Sequence, residues 1–291
     1  MLITSPQLRL RFYFVLYAVL LIGCAASLWI AGDLSLGRNP WRNLGTTISE
    51  LSRPSFVDVW LGNEKLEYKS DDGRVLRVEN QRTVETKYLW GVLEATWTTL
   101  KIATLGSLIA AILALPLGLF SAKNMQAPRP LAWAARVILD VTRSIHSLVF
   151  GLLFVGIIGL GPTAGILAIA AHSLGSYGKL YAESIETIDP LMMEAGLSLG
   201  GSPMHVLVVA LWRAVMPKFM SIHLYVWEFN VRDSTVLGLI GAGGLGLLVS
   251  EAASLFQWGR LATVMLTVII LVSVFDQLSR RVRTDLLRTI S

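Results

Sequence analysis

Long apolar stretches alternate with short polar ones along most of this chain. About 20 predominantly apolar residues in a helix cross roughly 30 Å of hydrocarbon. Because lipid offers the backbone no hydrogen-bonding partner, we expect each such stretch to be helical. The pattern predicts about six transmembrane helices, at residues 12–31, 97–120, 137–160, 164–184, 215–231 and 258–278.

The composition supports a membrane protein and argues against a soluble one. Apolar residues make up 54% of the chain and charged residues 15%, and the mean hydropathy is +0.60. Too few polar side chains remain to coat a soluble globule of this length. The sequence therefore predicts an all-α, polytopic membrane protein that lies in a lipid bilayer.

One segment, residues 32–90, has soluble character. Residues 64–69 and 74–79 alternate in polarity on either side of Asp71-Asp72-Gly73. Asp-Gly supplies the positive φ angles of a tight turn, and a period of two is typical of strands with one buried face. We predict a small β-hairpin here, which serves either as a solvated loop or as a docking surface for another protein.

Short basic flanks predict the orientation of the helices. Positively charged residues precede the first predicted helix, follow the second and follow the last: Arg9, Arg11, Lys123, Arg129, Arg136, Arg280, Arg281, Arg283 and Arg288. Cytoplasmic loops are enriched in such residues, so we expect both termini in the cytoplasm and residues 32–90 outside. The chain then divides into an N-terminal helix (1–31), an external segment (32–90), a core membrane domain (91–279) and a basic tail (280–291).

The third apolar stretch carries ionisable residues on one helix face. Asp140, Arg143 and His146 recur at three-residue spacing, and charges inside a bilayer are costly unless they are paired or line a polar path. Two interpretations follow: Asp140 and Arg143 form an ion pair at the cytoplasmic end, or Arg143 and His146 line the inner vestibule of a path for an anion. His172, in the next stretch, is interpreted as a histidine at a helix contact.

A short polar segment, residues 194–200, interrupts the apolar pattern between the fourth and fifth predicted helices. Glu194 stands in its first turns, where a carboxylate interacts favourably with the helix dipole. Ala195 and Gly196 are small enough for close seating against a partner, and Gly200 can end a helix by adopting a left-handed backbone. Gly201 follows directly.

A second signature, residues 227–246, combines charges, hydroxyls and many glycines between two apolar stretches. Glycine at this density allows a helix to break or re-enter where protein or water surrounds it. We predict the break or gate at Gly238, Gly241, Gly243, Gly244 and Gly246. The match of residues 241–246 to the dinucleotide pattern G-x-G-x-x-G is rejected, because that fingerprint requires a preceding strand and a βαβ unit.

The order of these motifs resembles that of the phosphonate-type permeases of ABC importers. Residues 194–200 resemble the coupling motif of importer permeases, and residues 228–246 resemble the stretch that precedes the last helix in phosphonate-type permeases. Further matches are Leu115-Pro116-Leu117-Gly118, Gly159-Leu160-Gly161-Pro162 and Gly178-Lys179-Leu180-Tyr181-Ala182-Glu183, and the resemblance covers about residues 96–276. The hairpin segment lies outside it, as an insertion.

The resemblance implies a type I importer permease fold in the bacterial inner membrane. It implies a homodimer with one translocation path at its two-fold axis, two cytoplasmic ABC ATPase subunits and an extracytoplasmic solute-binding protein, and no nucleic-acid partner. Coupling to the ATPase falls to five residues: Glu194, Ala195, Gly196, Gly200 and Gly201. The chain has no G-x-x-x-x-G-K-[ST] phosphate loop, so we expect no enzyme activity and no cofactor or metal here, and ATP and Mg in the partner ATPase.

The predicted translocation path consists of Asn230, Arg232, Ser234 and Thr235, with Arg143 and His146 as second choices. Guanidinium groups and hydroxyl donors suit an oxyanion. For Arg232 the alternative is an ion pair with Glu228, four residues earlier on the same helix face.

The cargo is expected to be a small phosphorus oxyanion. After the arginine that corresponds to Arg143, phosphonate permeases usually read Ile-Pro-Glu-Leu-Val, whereas this chain reads Ile145-His146-Ser147-Leu148-Val149. That departure leaves phosphonate, phosphite, hypophosphite and phosphate as candidates. The alternative from another class is an ion-coupled secondary transporter or channel, with Arg143, His146, His172 and Glu228 as the relay, which the lack of a visible inverted repeat disfavours.

Overall fold

The computed structural model describes residues 6–32, 39–62, 65–69, 75–125, 127–187, 191, 198 and 215–288. Five residues predicted to contact an ATPase lie outside the described residues: Glu194, Ala195, Gly196, Gly200 and Gly201. The predicted hairpin turn at residues 71–73 also lies outside them.

The chain divides into two compact units, residues 1–49 and residues 50–291. The first unit contains helix α1 (Pro6–Ala31), whose apolar length confirms the predicted span at residues 12–31. Helix α2 (Pro40–Leu51) begins in the first unit and ends in the second. Its large apolar side chains, among them Trp41, Leu44 and Ile48, are exposed and follow the spacing of one helix face.

Among its described residues, the second unit contains helices and one β-hairpin. A short helix, α3 (Ser55–Leu61), precedes the strands β1 (Lys65–Lys69) and β2 (Val75–Asn80), which pair antiparallel with Lys65 opposite Asn80. The Asn80 side chain accepts a hydrogen bond from the Arg82 backbone N–H at 3.2 Å, so the hairpin leads directly into the capped start of the next helix.

Seven helices follow the hairpin in the described part of the chain. They are α4 (Gln81–Ser121), α5 (Arg129–Ser144), α6 (Ser147–Ile158), α7 (Pro162–Glu186), α8 (Met216–Leu237), α9 (Leu245–Ser254) and α10 (Trp258–Arg288). A 3₁₀ turn (Lys123–Met125) lies between α4 and α5, and a π turn (Gly238–Ala242) lies between α8 and α9.

Three described helices are long and apolar enough to cross a membrane: residues Leu10–Ala31, Gln81–Ser121 and Trp258–Asp285. Two bent pairs meet the same test, α5 with α6 at 91° and Met216–Ala242 with α9 at 56°. Helix α7 contains the predicted span at residues 164–184 but is not among the helices that meet this test. It contacts α4, α5, α6 and α8, and a helix surrounded by protein does not need an apolar exterior.

The prediction of one continuous helix at residues 137–160 is wrong. Helix α5 ends at Ser144 and α6 begins at Ser147, with the chain bent by 91° between them. His146 has an extended backbone, with φ −67° and ψ 148°, and its side chain accepts a hydrogen bond from the Leu148 N–H. A side-chain cap therefore starts a new helix inside an apolar stretch, and hydropathy does not record it.

Small residues allow α7 to approach α4 closely. A methyl group added at Gly106 of α4 would lie 2.8 Å from the Ile169 Cβ of α7, and one at Gly118 would lie 3.0 Å from the Tyr181 Cβ. Helix association in membranes depends on such packing, because lipid tails are as apolar as the side chains and give no hydrophobic drive.

Gly106→Val should destabilise the fold, because the added carbons overlap Ile169 across the α4–α7 interface. Overpacking of this kind costs about 1–3 kcal/mol, which thermal unfolding of the purified protein in detergent will show as a lower Tm. Gly91→Val is the matched control on the same helix, since a methyl group there meets nothing within 4 Å. Equal losses in the two variants would contradict the close approach of α4 and α7.

Candidate functional site

A cavity of about 360 Å³ lies between the C-terminal end of α5, the middle of α7 and the middle of α8. It is lined by Arg143, His172, Ser173, Ser176, Lys179, Leu180, Glu183, Tyr225, Val226, Phe229 and Asn230. Two of the predicted path residues, Arg143 and Asn230, are therefore brought to one cavity.

Helix α7 contributes most of the polar lining. His172, Ser176, Lys179 and Glu183 follow one another at spacings of three and four residues, so they lie on one face of the helix. Helix α8 contributes the more apolar wall, with Tyr225, Val226 and Phe229.

Asn230 joins three helices beneath the cavity. Its side chain is 1% exposed. The Ser173 hydroxyl of α7 donates to Asn230 Oδ1 at 2.9 Å, and Asn230 Nδ2 donates to the Ser107 Oγ of α4 at 2.8 Å. The amide is thus held on both sides by protein partners, and it fixes the relative positions of α4, α7 and α8.

Arg143 stands at the mouth of the cavity. Its side chain is 51% exposed, and Nη2 lies 3.9 Å from Asp140 Oδ1. The ion pair predicted with Asp140 therefore exists, but 3.9 Å exceeds hydrogen-bonding distance, and an exposed pair of this kind contributes little stability. Most of the guanidinium's donors remain available to the cavity.

Two histidines hold the break between α5 and α6. The His146 Nδ1 accepts from the Leu148 N–H at 3.2 Å and so caps α6. The His172 Nδ1 lies 2.7 Å from the Ile145 carbonyl oxygen, and the two imidazole rings are 5.9 Å apart. His172 thus serves as a helix-contact residue that satisfies a carbonyl at the end of α5, and it also lines the cavity.

Arg232 lies away from the cavity. Its Nη2 is 4.0 Å from the Asp276 Oδ1 of α10, and its guanidinium carbon lies 5.9 Å from the centre of the Phe229 ring. The ion pair with Glu228 considered from the sequence is therefore wrong, because the pairing carboxylate comes from another helix. Periodicity along one helix cannot show a neighbour on the next.

The hydroxyls of Ser234 and Thr235 are both committed within α8. Each donates to the Val231 carbonyl, at 2.8 and 3.3 Å respectively, and both residues are buried. Asp233, also buried, accepts from the Ser147 hydroxyl at 2.7 Å and so ties α8 to the first turn of α6. These side chains hold helices together in the structure described.

The glycine signature forms the turn between α8 and α9. Gly241, Gly243 and Gly244 have φ angles of 96°, 85° and 72°, a region that L side chains rarely adopt. The Gly161 N–H donates to the Gly241 carbonyl at 3.0 Å, and the Leu245 N–H at the start of α9 donates to Thr99 Oγ1 at 2.9 Å. Two sequence signatures far apart in the chain thus meet at this turn.

The remaining two glycines of the signature pack against each other. A methyl group at Gly238 would lie 2.6 Å from the Gly246 Cα, so neither position has room for a side chain. Both lie in helical or π-helical backbone, in contrast to the three glycines with positive φ.

Ser176 and Lys179 are lining residues that the sequence reasoning missed. Lys179 lies within a stretch that resembles the family, but the resemblance did not single it out. Its spacing of three and four residues from Ser176 and Glu183 could have shown that it belongs to a polar face, which begins at His172, on an otherwise apolar helix. Among the described residues, no three His, Cys, Asp or Glu side chains are grouped so as to hold a metal ion.

The sequence is similar to known transport proteins. The family model for the binding-protein-dependent transport system inner membrane component matches residues 114–286. The putative phosphite transport system permease protein HtxC of Stutzerimonas stutzeri is 37% identical over 198 residues, which cover 68% of this chain and 70% of that protein. The phosphate-import permease protein PhnE of Mycolicibacterium smegmatis is 35% identical over 65% of this chain and 35% of its own length.

Solved structures of ABC transporters share the fold. The inward-facing MetNI methionine ABC transporter has a chain that aligns with a TM-score of 0.62 at 19% identity, over 69% of this chain and 98% of that one. A crystal structure of an amino acid ABC transporter with histidines aligns with a TM-score of 0.58 at 19% identity, over 70% and 97%. The predicted fold, that of a type I importer permease, is confirmed.

The Asn230 network generates a stability prediction. Asn230→Ala and Ser107→Ala should each lower the Tm in detergent, because each leaves a buried polar partner unsatisfied, at a cost of about 1–3 kcal/mol. The double variant should lose less than the sum of the two single losses, by about 0.5–3 kcal/mol, because the two groups share one hydrogen bond. Strictly additive losses would show that the two side chains do not interact.

Proposed function

The chain belongs to the family of binding-protein-dependent transport system inner membrane components, and we propose that it carries a small phosphorus oxyanion through the bilayer on energy supplied by a partner ATPase. It is a multi-pass permease of an ABC transporter in the inner membrane. The cargo, the stoichiometry and the orientation with both termini in the cytoplasm belong to the proposal.

The similarity to a phosphite transport permease over two thirds of the chain carries the choice of cargo. The cavity adds chemical support, because a guanidinium, an ammonium and hydroxyl groups line it together. Such groups recognise phosphorus oxyanions by charge-assisted hydrogen bonds. All residues that line the cavity fall within residues 114–286, the part matched by the family model.

The ion-coupled transporter considered from the sequence receives less support. Its relay requires Arg143, His146, His172 and Glu228 to form one chain of groups. Glu228 interacts instead with Asp276, Ser279 and Arg283 of α10. His146 and His172 are occupied at the break between α5 and α6.

The proposed drive acts through the coupling residues 194–201, which contact a cytoplasmic ATPase that binds ATP and Mg. Described contacts support mechanical transmission at both ends of this segment. Lys218 Nζ at the start of α8 donates to Thr187 Oγ1 after the end of α7, at 3.1 Å, and the Lys123 N–H donates to Glu186 at 2.9 Å. Because α7 and α8 also line the cavity, a force on the segment reaches the cavity directly.

The complete transporter in this proposal is a homodimer of the permease with two ATPase subunits and an extracytoplasmic solute-binding protein. Closure of the ATPase pair on ATP brings the coupling segments together and opens the path outward, and hydrolysis resets it. The binding protein selects the cargo, so the permease needs only to hold it weakly. Residues 32–90, including the β1–β2 hairpin, supply the docking surface for the binding protein.

Substitution of Glu194 tests the coupling role. In proteoliposomes that contain the permease, its ATPase and its binding protein, Glu194→Ala should lower ATP-driven uptake at least about tenfold, while cargo binding to the isolated binding protein stays unchanged. Glu251→Ala is the control, because it removes an exposed carboxylate on α9. Normal uptake by the Glu194 variant would count against a coupling role for this residue.

A competition experiment tests the cargo. Uptake of labelled phosphite by the same proteoliposomes should be inhibited by unlabelled phosphite, hypophosphite, phosphate or a simple phosphonate, in an order that matches their affinities for the binding protein. Sulfate and an amino acid such as methionine serve as controls and should not compete. Uptake of methionine with no uptake of any phosphorus compound would overturn the proposed cargo.

A further inference from the structure

We propose that Arg143, Ser176 and Lys179 form a weak binding station for a tetrahedral oxyanion inside the permease. The inference rests on the proposed function and assigns to it a particular place in the α5–α7–α8 cavity. Two of the three residues, Ser176 and Lys179, were not among the path residues that the sequence suggested.

The surroundings of Lys179 give the strongest single support for this anion site. It lies on α7 and is partly buried, yet in the described part of the chain no carboxylate lies within ion-pair distance of its ammonium group. A charge that is partly removed from water and has no partner is costly, and in membrane proteins such residues generally face a polar pathway. An anion that enters the cavity supplies the missing partner.

Ser176 provides a free donor one turn away from Lys179. Its hydroxyl makes no hydrogen bond among the described residues, whereas the neighbouring Ser173 donates to Asn230. Of the two serines of α7 that line the cavity, Ser173 is bonded to another helix and Ser176 is available to a ligand. With Arg143 across the cavity, the available donors are a hydroxyl, an ammonium and a guanidinium, the set that suits phosphorus oxygens.

The charges around the cavity favour an anion over a cation. Asp140 is 63% exposed and lies 3.9 Å from Arg143, and Glu183 is exposed one turn beyond Lys179. Glu183 also lines the cavity, but both carboxylates are exposed, so solvent screens their fields more strongly than the field of the partly buried Lys179. Lys179 is less exposed, and it lies beside Leu180 and Val226, which lower the local dielectric and strengthen its attraction for an anion.

The size of the cavity indicates how tightly the anion is held. At about 30 Å³ of liquid volume for each water molecule, 360 Å³ corresponds to roughly a dozen waters. A phosphite or phosphate ion therefore fits together with part of its hydration shell. Retained water weakens the binding, which suits a site that has to release its cargo in every cycle.

Cysteine chemistry tests the local field without a transport assay. The chain has a single cysteine, Cys24, so Ser176→Cys in a Cys24→Ser background places one thiol in the cavity. We expect an anionic methanethiosulfonate reagent to react faster than a cationic reagent of the same size, relative to the exposed control Ser254→Cys. Adding Lys179→Gln should lower that preference about five- to tenfold, because one unit charge is removed from the cavity.

Phosphite itself is the probe of occupancy in the same experiment. Phosphite should slow modification of Ser176→Cys but not of Ser254→Cys, and Lys179→Gln should remove the protection. A neutral methanethiosulfonate reagent checks access and folding, and it should react equally with and without Lys179→Gln. No charge preference at Ser176→Cys, no phosphite protection, or no reaction with the neutral reagent would each overturn the station.

A transport assay distinguishes failure of this binding site from failure of the proposed function. In the complete reconstituted transporter, Lys179→Gln should lower phosphite uptake about tenfold, while ATP hydrolysis stimulated by the loaded binding protein persists. Lys179→Arg should restore most of the uptake, and Lys101→Gln, which removes an exposed lysine of α4 that does not line the cavity, is the charge control. Equal loss of uptake and of stimulated ATP hydrolysis would assign Lys179 a structural role. Absence of uptake in the unmodified transporter would instead reject the proposed cargo, and the thiol experiment would still decide on the station.

Discussion

The architecture of this permease depends on one constraint, that polar groups at membrane depth must find their partners within the protein. The buried amide of Asn230 meets it by bonding to serines of two other helices. The backbone at the two helix breaks also finds partners within the protein. His172 satisfies the Ile145 carbonyl where α5 ends, and Thr99 accepts a hydrogen bond from the first N–H of α9. Because lipid cannot replace these partners, the breaks are fixed in position, and irregular backbone occurs where neighbouring helices can satisfy it.

The same constraint makes the few unsatisfied polar groups informative. Hydroxyls such as those of Ser234 and Thr235 are consumed within their own helix, so they have no donor left for a cargo. Lys179 and Ser176 differ, since their groups face a cavity and have no partner in the described structure. Polar groups that line a cavity and have no partner in the described structure are therefore the best candidates for contact with a cargo. Helices α7 and α8 line that cavity and flank in sequence the segment proposed to contact the ATPase, so in the proposed mechanism one pair of helices transmits the movement of the ATPase to the cavity.

Hydropathy predicted the apolar parts of helices α1, α4 and α10, because each contains one long apolar run. It missed the first 16 residues of α4, which begins at Gln81 and not at residue 97, because that part of the helix is more polar. Hydropathy did not predict the helix break at residues 145–146. That break depends on the His146 cap and on the contact from His172 of α7, and neither changes the apolar content of the segment. The predicted ion pair of Arg232 with Glu228 was wrong for a related reason, since the carboxylate nearest to Arg232, that of Asp276, lies 44 positions away in the sequence. The family motifs identified the fold, and the site needed the geometry that places α5, α7 and α8 around one cavity.

We propose that ATP hydrolysis in a partner, and no ion gradient, drives a phosphorus oxyanion through this chain. The most direct measurement is uptake of labelled phosphite into proteoliposomes that hold the permease, its ATPase and its binding protein, with ATP supplied to the ATPase side and ionophores present to collapse proton and sodium gradients. Uptake should continue with the ionophores and stop when ATP is replaced by a non-hydrolysable analogue. Uptake that persists without ATP and disappears with the ionophores would contradict it.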